Sequence, residues 1–363
     1  MKINIKEIKL KNISDGSLIN CKLLKGYTVL YVSLEFWIAS KGYKLYKYDV
    51  LNDKWSLFGT LQDKKYYLFS KFKITRRLLR AEITKLYKFN NNLYICIAKK
   101  SLFKFNSNNN KFEKCLNIMK GSRPLNICQD SKGVLYFGEY FFNPARKKVN
   151  IYKSEDEGKT WNIAYTFNDG RINHIHGIFL DPYKEELLWV ATGDDDVACI
   201  FGYSKDGFRT IIEKYRGKQD YRICVPLFYK DKIVYATDSQ FQQNYIRVIN
   251  RESGAIKDLE KIQGSGIYGV QIGNFAAIST TIEPSKINTD KNSYLWFTKE
   301  GLNWKPLISF KKDMWHNVYF QFGSIRFPNY EINNKQYNKL IVTGCALKKI
   351  DGNSLIINIK DIL

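Results

Sequence analysis

A short motif recurs in register along this chain and dictates how its strands must turn. Residues 149–161 read VNIYKSEDEGKTW: a strand-like stretch over 149–153, a polar turn closed by Gly158, and Trp161 opening the next strand. Ser154 and Asp156 can hydrogen-bond backbone N–H groups within the turn, Gly158 supplies an unrestricted φ, and Trp161 buries a large surface between strands. Weaker copies stand at Tyr203-Ser204-Lys205-Asp206-Gly207 and at Phe297-Thr298-Lys299-Glu300-Gly301-Leu302-Asn303-Trp304. One match could be chance, but three in register are a repeat.

The whole chain divides into units of about fifty residues: roughly 12–61, 75–117, 121–167, 171–215, 221–262, 264–310 and 315–363. Strand-like runs such as 27–32, 93–98 and 232–237 recur throughout. Aromatic residues are abundant (25 Tyr, 23 Phe, 7 Trp), and no amphipathic helix longer than about three turns stands out. The expected class is therefore all-β, as one domain over residues 1–363. The last unit is one strand short. Residues 3–10 are apolar at alternate positions and have no partner in the first unit. They are expected to complete the last unit and close a ring, which removes exposed sheet edges.

The pattern S-x-D-x-G-x-T-W at Ser154, Asp156, Gly158, Thr160 and Trp161 resembles the Asp-box (BNR) repeat of sialidase-like β-propellers. The resemblance implies a single β-propeller, with seven blades as the expected count and six as the alternative, because the first two units are the least regular. It also implies that the box is structural and locates the architecture, not the active site. Such propellers include sialidases and other glycosidases, polysaccharide lyases and non-catalytic binding proteins. Sialidases grip a substrate carboxylate with three arginines. Arg123, Arg171 and Arg222 could supply such a cluster, with bidentate geometry suited to a carboxylate. Propeller-type lyases acting on uronates need a His or Tyr base and an Arg or metal to neutralise the carboxylate; His174 or His176, Tyr221 and Arg222 would serve. Both readings imply an acidic sugar.

In a propeller, residues just before each innermost strand and just after the second strand converge on one central funnel. The first set holds Arg76, Arg77, Arg80, Arg123, Arg171, His174, Arg222 and His316; the second holds Glu139, Asp194–Asp196, Asp238 and Glu283. Asp194, Asp238 and Glu283 follow at intervals of 44 and 45 residues, which supports their equivalence. His176, Asp194, Asp238 and Glu283 are the expected catalytic residues; Arg123, Arg171, His174, Arg222 and His316 are the expected substrate-binding ones. His174 and His176, two apart, point to the same side of a strand. They could ligate a divalent metal with Asp194 or Asp238, or one could act as general base. His316, next to Trp315, suits stacking on a sugar ring. The expected arrangement places His176, Asp194, Arg222, Asp238 and Glu283 in one cavity, with Arg123, Arg171, His174 and His316 on its rim. The plain alternative is a network of Arg–carboxylate pairs stitching adjacent blades.

Charge is one-sided: 58 Lys+Arg against 35 Asp+Glu give +23. Such a field favours anionic partners, whether acidic glycans, nucleotide-linked sugars, nucleic acid or a membrane surface; a Lys-rich, AT-biased genome would produce the same excess. With no tight basic run and no nucleic-acid module, nucleic acid is not expected as the partner. The seven Cys, at 21, 96, 115, 128, 199, 224 and 345, read as buried free thiols in a reducing compartment. The N-terminus shows no signal-peptide pattern and no apolar run is long enough to span a bilayer, so a cytoplasmic monomer is expected. The functional expectation is a glycoside hydrolase or polysaccharide lyase acting on an acidic glycan or glycoconjugate. A non-catalytic glycan- or protein-binding propeller is the alternative.

Overall fold

A computed structural model describes residues 3–121, 123–331 and 337–362. The chain is all-β, with 51% of residues in strands and 8% in helices. Its unit is a four-stranded antiparallel meander in which each strand pairs with the next. Three of these are separate sheets: Cys128–Phe167, His174–Arg216 and Leu227–Ile262. Two more, Thr28–Leu61 and Ile83–Asn117, share a nine-stranded sheet because their outer strands meet in a short parallel pairing, Lys111 with Thr60 and Phe112 with Leu61. The other nine-stranded sheet joins the meander Ser265–Lys311 to the C-terminal strands Gly323–Arg326, Lys339–Cys345 and Ser354–Asn358.

Strand burial follows position in the meander. The second strands are continuous apolar runs, such as Leu93–Ala98 and Leu188–Gly193, buried at every residue. The fourth strands are less buried, as in Asn162–Phe167, where only Phe167 is fully buried. That gradient is expected where sheets pack face to face around an axis and only the outermost strands meet water. Lys85, Val225, Tyr268 and Asn329, from four different parts of the chain, line one central cavity.

The recurring turns form as their residue types require. The Ser154 hydroxyl donates to Asp156 Oδ1 (2.8 Å) and accepts the Gly158 N–H (2.8 Å), while Asp156 Oδ1 accepts the Thr160 N–H (2.8 Å). Gly158 has φ +81°, and Trp161 donates its indole N–H to the Gly158 carbonyl and packs edge-on against Phe137. Ser204, Asp206, Phe208 and Thr210 repeat this geometry. In the third copy Thr298 and Trp304 close the turn on Gly301.

The closing strand differs from the expected one. Leu18–Leu24 pairs antiparallel with Ser354–Asn358, Cys21 opposite Ile357 and Leu24 opposite Ser354, and Ile5–Lys11 lies outside it. The reason is hydrophobic: Ile19, Cys21, Leu23 and Leu24 are buried, whereas 5–11 is largely exposed. A pair of short helices, Lys64–Lys71 and Lys73–Leu78, also intervenes between the first two meanders. Arg77, expected at the funnel, is buried there against Asp313, Asp351 and the Phe320 carbonyl. All seven cysteines are free, and all but Cys115 are buried. Among the described residues no helix is long and apolar enough to cross a membrane.

Candidate functional site

Because the strands of a meander alternate in direction, the start of its first strand and the end of its second lie at the same edge of the sheet. His174 begins the strand His174–Leu180, directly opposite Gly193, the last residue of Leu188–Gly193. A register shift falls between Ile175 and Gly177, and both imidazoles are buried. Their Nε2 atoms face each other at 3.1 Å, and both face Asp194 Oδ1, at 3.3 Å from His174 and 3.6 Å from His176. Gly193 is required for this approach, since a Cβ there would lie 2.5 Å from His176 Cε1.

The tautomers follow from the backbone. His174 Nδ1 lies 3.0 Å from the Phe141 carbonyl and His176 Nδ1 lies 3.0 Å from the Ile223 carbonyl. A carbonyl can only accept, so each Nδ1 carries a proton and each ring turns its Nε2 toward Asp194. Two imidazole nitrogens and a carboxylate oxygen within 3.6 Å of one another call for a proton or a cation among them. The spacing suits three ligands of one divalent ion, and the Nδ1–H to carbonyl contacts are the outer-shell bonds that orient metal-binding histidines. The donor set fits a metal. A second group whose donor atoms lie near one another is His176, Cys224 and Asp238.

Arg222 bridges the acids. Its Nη2 lies 2.7 Å from Asp194 Oδ1 and its Nε lies 3.5 Å from Asp238 Oδ2. Burial alone would lower the guanidinium's affinity for its proton, but the Asp238 and Asp194 charges outweigh it and hold Arg222 cationic. Burial would likewise raise the Asp194 carboxyl, yet hydrogen bonds from His174 and His176 and the charge of Arg222 keep it well below the usual carboxylate range. The Cys224 thiol donates to Asp238 Oδ2 (3.3 Å), and burial keeps it protonated. Gln219 donates to the Asp194 carbonyl at 2.8 Å.

Glu283 is the group poised to exchange a proton. Burial, then the Asp238 charge, pushes its carboxyl up to about 7, against pulls from Gln240 and Arg222. Its folded pKa exceeds its unfolded one, so the folded protein holds the extra proton between about pH 4.5 and about 7, and stability falls as pH rises through that window. Glu283→Gln is expected to remove this slope. Relative to wild type it should gain about 1–3 kcal/mol at pH 8 over its value at pH 5, after discounting for partial exposure. Melting curves at the two pH values check this; an unchanged difference would show that Glu283 is not perturbed.

The sequence-derived set is thus partly assembled. His176, Asp194, Arg222 and Asp238 stand in contact, with Glu283 within their field. His174 belongs to the centre itself and not to a rim. Arg171 is turned aside by an ion pair with Glu213 on the outer strand of its own sheet. His316 is exposed before a short helix, its ring 5.4 Å from that of Tyr319. Glu139 is consumed within its own sheet by the Asn150 N–H (2.8 Å) and the Tyr152 hydroxyl (3.3 Å). Its neighbour Tyr140 is the residue that reaches the centre, with its ring 4.4 Å from His174.

Arg123 stands in a second group, with Arg80 and Arg326 around Glu82 and Lys85 beside Arg123 and Arg326. Arg326 Nη1 pairs with Glu82 at 3.2 Å, and Gln321 donates to the same oxygen at 2.7 Å. Burial, with Arg326 and Arg123 nearby, pushes Lys85 down to about 8. Gly121 packs on Tyr140 and Phe141, so the segment carrying Arg123 adjoins the histidine centre.

No protein-family model and no curated protein matches the chain. Solved structures do. An oligogalacturonate lyase from Vibrio parahaemolyticus is similar over 98% of this chain and 98% of its own, with a TM-score of 0.61 and 7% identity. The fold is of β-propeller type. A GH74 enzyme from Niastella koreensis is similar over 78% of this chain, with a TM-score of 0.52 and 14% identity, but over only 46% of its own length. A chain of a mitotic checkpoint complex is similar over 91% of this chain and 89% of its own, with a TM-score of 0.52 and 9% identity. At such identities the likeness is one of fold, and propellers serve many ends.

Proposed function

We propose that the chain is a seven-bladed, sialidase-like β-propeller with Asp-box turns, and that it cleaves an acidic glycan by elimination at the His174–His176–Asp194 centre. The blade count rests on strand pairing: six meanders of four strands, and a last one that Leu18–Leu24 completes beside Ser354–Asn358.

The observation that carries the activity is the pairing of two unlike groups in adjoining parts of the propeller. On one side, two histidine Nε2 atoms and a carboxylate oxygen converge within 3.6 Å. On the other, Arg80, Arg123 and Arg326 lie around Glu82, with Lys85 beside Arg123 and Arg326. A uronate needs its carboxylate neutralised before the neighbouring C–H can be deprotonated. The cations would bind that carboxylate, and a divalent ion held by His174, His176 and Asp194 would add to the neutralisation when bound. Glu283 as carboxylate would take the C5 proton. The electron pair left on C5 would form the C4–C5 double bond as the C4–O bond breaks, and the departing oxygen would receive that proton from Glu283. Glu283, with its carboxyl near neutrality, suits the proton transfer. Hydrolysis fits less well, because it requires a second free carboxyl, and Asp194 and Asp238 are both engaged by Arg222. Arg222, so engaged, positions the two acids and does not take the substrate carboxylate. The oligogalacturonate lyase, alike over nearly its full length, supports a uronate substrate.

Incubation with a panel of acidic oligosaccharides tests this. Growth of the ultraviolet band of unsaturated uronates, abolished by a chelator and restored by a divalent ion, is expected. New reducing ends without that band would mean a glycoside hydrolase. Binding without turnover would mean a non-catalytic propeller, a role the likeness to a checkpoint-complex chain makes worth scoring.

A further inference from the structure

The helix pair between the first two meanders breaks the ordinary rule for a soluble surface. Leu68, Phe72 and Ile74 are each more than half exposed. The connection before Gly323–Arg326 does the same with Met314, Val318 and Tyr319. The two segments touch: Arg77 Nε donates to the Phe320 carbonyl at 3.1 Å and Arg80 Nη2 to the Val318 carbonyl at 3.2 Å. Together they make one apolar ridge, beyond the isolated exposed residues any surface carries.

Its location and charge say what covers it. Both segments lead from an outer strand to the next inner one, so they lie on the face where His174 and Arg222 open their meanders. Farther round that face, Met119 and Phe142 stand 90% and 91% exposed. Between Asp63 and Glu82 the chain has seven Lys or Arg and no acid. Arg77 is buried and Lys73 pairs with Asp351, while Lys64, Lys65 and Lys71 are exposed without such a partner among the described residues. Lys65 and Lys71 lie along the rings of Tyr66 and Tyr67, so their ammonium groups flank the apolar side chains. Short helices that present apolar tips within a collar of lysines match the boundary of an anionic bilayer, where the tips enter and the ammonium groups meet headgroup phosphates.

We propose that this face docks peripherally on an anionic phospholipid membrane, with the helix pair and residues 314–322 as the inserting ridge. Docking would set the sheet edge that carries His174 and Asp194 toward the bilayer surface. The proposal stands independently of the chemistry at that centre.

Co-sedimentation of the full chain with vesicles tests it. Binding to vesicles containing phosphatidylglycerol is expected to exceed binding to pure phosphatidylcholine at least tenfold and to fall as salt is raised. The double variant Phe72→Asp/Val318→Asp should lose at least tenfold of that binding with its melting temperature unchanged. If that variant fails to fold, tryptophan emission of the unmodified chain serves instead. A blue shift on adding anionic vesicles, absent in Trp315→Phe, is expected. Equal sedimentation with both lipids, or no emission shift, would overturn the proposal. So would concentration-dependent dimers that the double variant dissolves while vesicles bind neither protein, since a second copy would then cover the ridge.

Discussion

A chain lacking residues 1–24 is expected not to fold, whereas one lacking only residues 1–11 should fold and melt a few degrees lower. Leu18–Leu24 is the outer strand of the last meander and ties the N-terminus to Ser354–Asn358 through paired residues from Cys21–Ile357 to Leu24–Ser354. Ile19, Cys21 and Leu23 are buried in one core cluster with Leu340, Val342, Leu355 and Ile357, and Leu24 is buried in the next. Burying an aliphatic side chain of this size stabilises by about 1.5–3 kcal/mol. Three such losses, with Cys21 besides, approach the roughly 5–15 kcal/mol that separates a folded domain from its unfolded chain. The truncation would also open a row of unpaired backbone groups along Ser354–Asn358, an invitation to aggregation. Residues 5–11 contribute less, because only Ile8 and Leu10 pack against the core. Solubility and cooperative melting of the two truncations decide the matter. A soluble 25–363 fragment melting near the full chain would refute closure by Leu18–Leu24.

The same strand shows how far the sequence could be read. Ring closure by the N-terminus followed from alternating apolar residues and a missing partner, but two adjacent stretches alternate. Only burial tells Ile19, Cys21 and Leu23 from Ile5 and Ile8. The turns at Asp156 and Asp206 were legible because each hydrogen bond is local, the carboxylate accepting from the backbone N–H four residues on. Most of the histidine centre was legible for a related reason. Asp194, Asp238 and Glu283 recur at nearly equal intervals, so a periodic fold had to carry them to equivalent places. What escaped was set by single local choices. Arg171 finds Glu213, and the carboxyl of Glu139 finds a backbone N–H in its own sheet, leaving Tyr140 to reach the centre. Cys224 carries no charge pattern to mark it; its only signal was its place two residues after Arg222. The helix pair went unread because its apolar residues face outward, where periodicity gives no core-directed stripe.

Asp194→Asn is expected to abolish turnover on the acidic glycan while leaving the propeller folded. The change keeps side-chain volume but removes the charge that Arg222 Nη2 meets at 2.7 Å and the oxygen that both imidazoles face. Asp238 still meets the guanidinium and the Asp194 carboxyl is about a third exposed, so the stability loss should stay near 1–2 kcal/mol, below the cost of breaking a fully buried pair. Loss of a positioned proton-transfer or ligand group costs roughly 10²–10⁴ in rate. Arg222→Ala is a poorer probe, because it strands two carboxylates around a buried cavity and should unfold much of the protein. The sharper companion is His176→Ala. Titration calorimetry should find one divalent ion per wild-type chain and none in His176→Ala or Asp194→Asn, with the melting temperature of metal-free protein nearly unchanged. Activity lost only in proportion to unfolding would mean that His174, His176, Asp194 and Arg222 merely stitch adjacent blades. Full turnover in Asp194→Asn would place the chemistry elsewhere on the face.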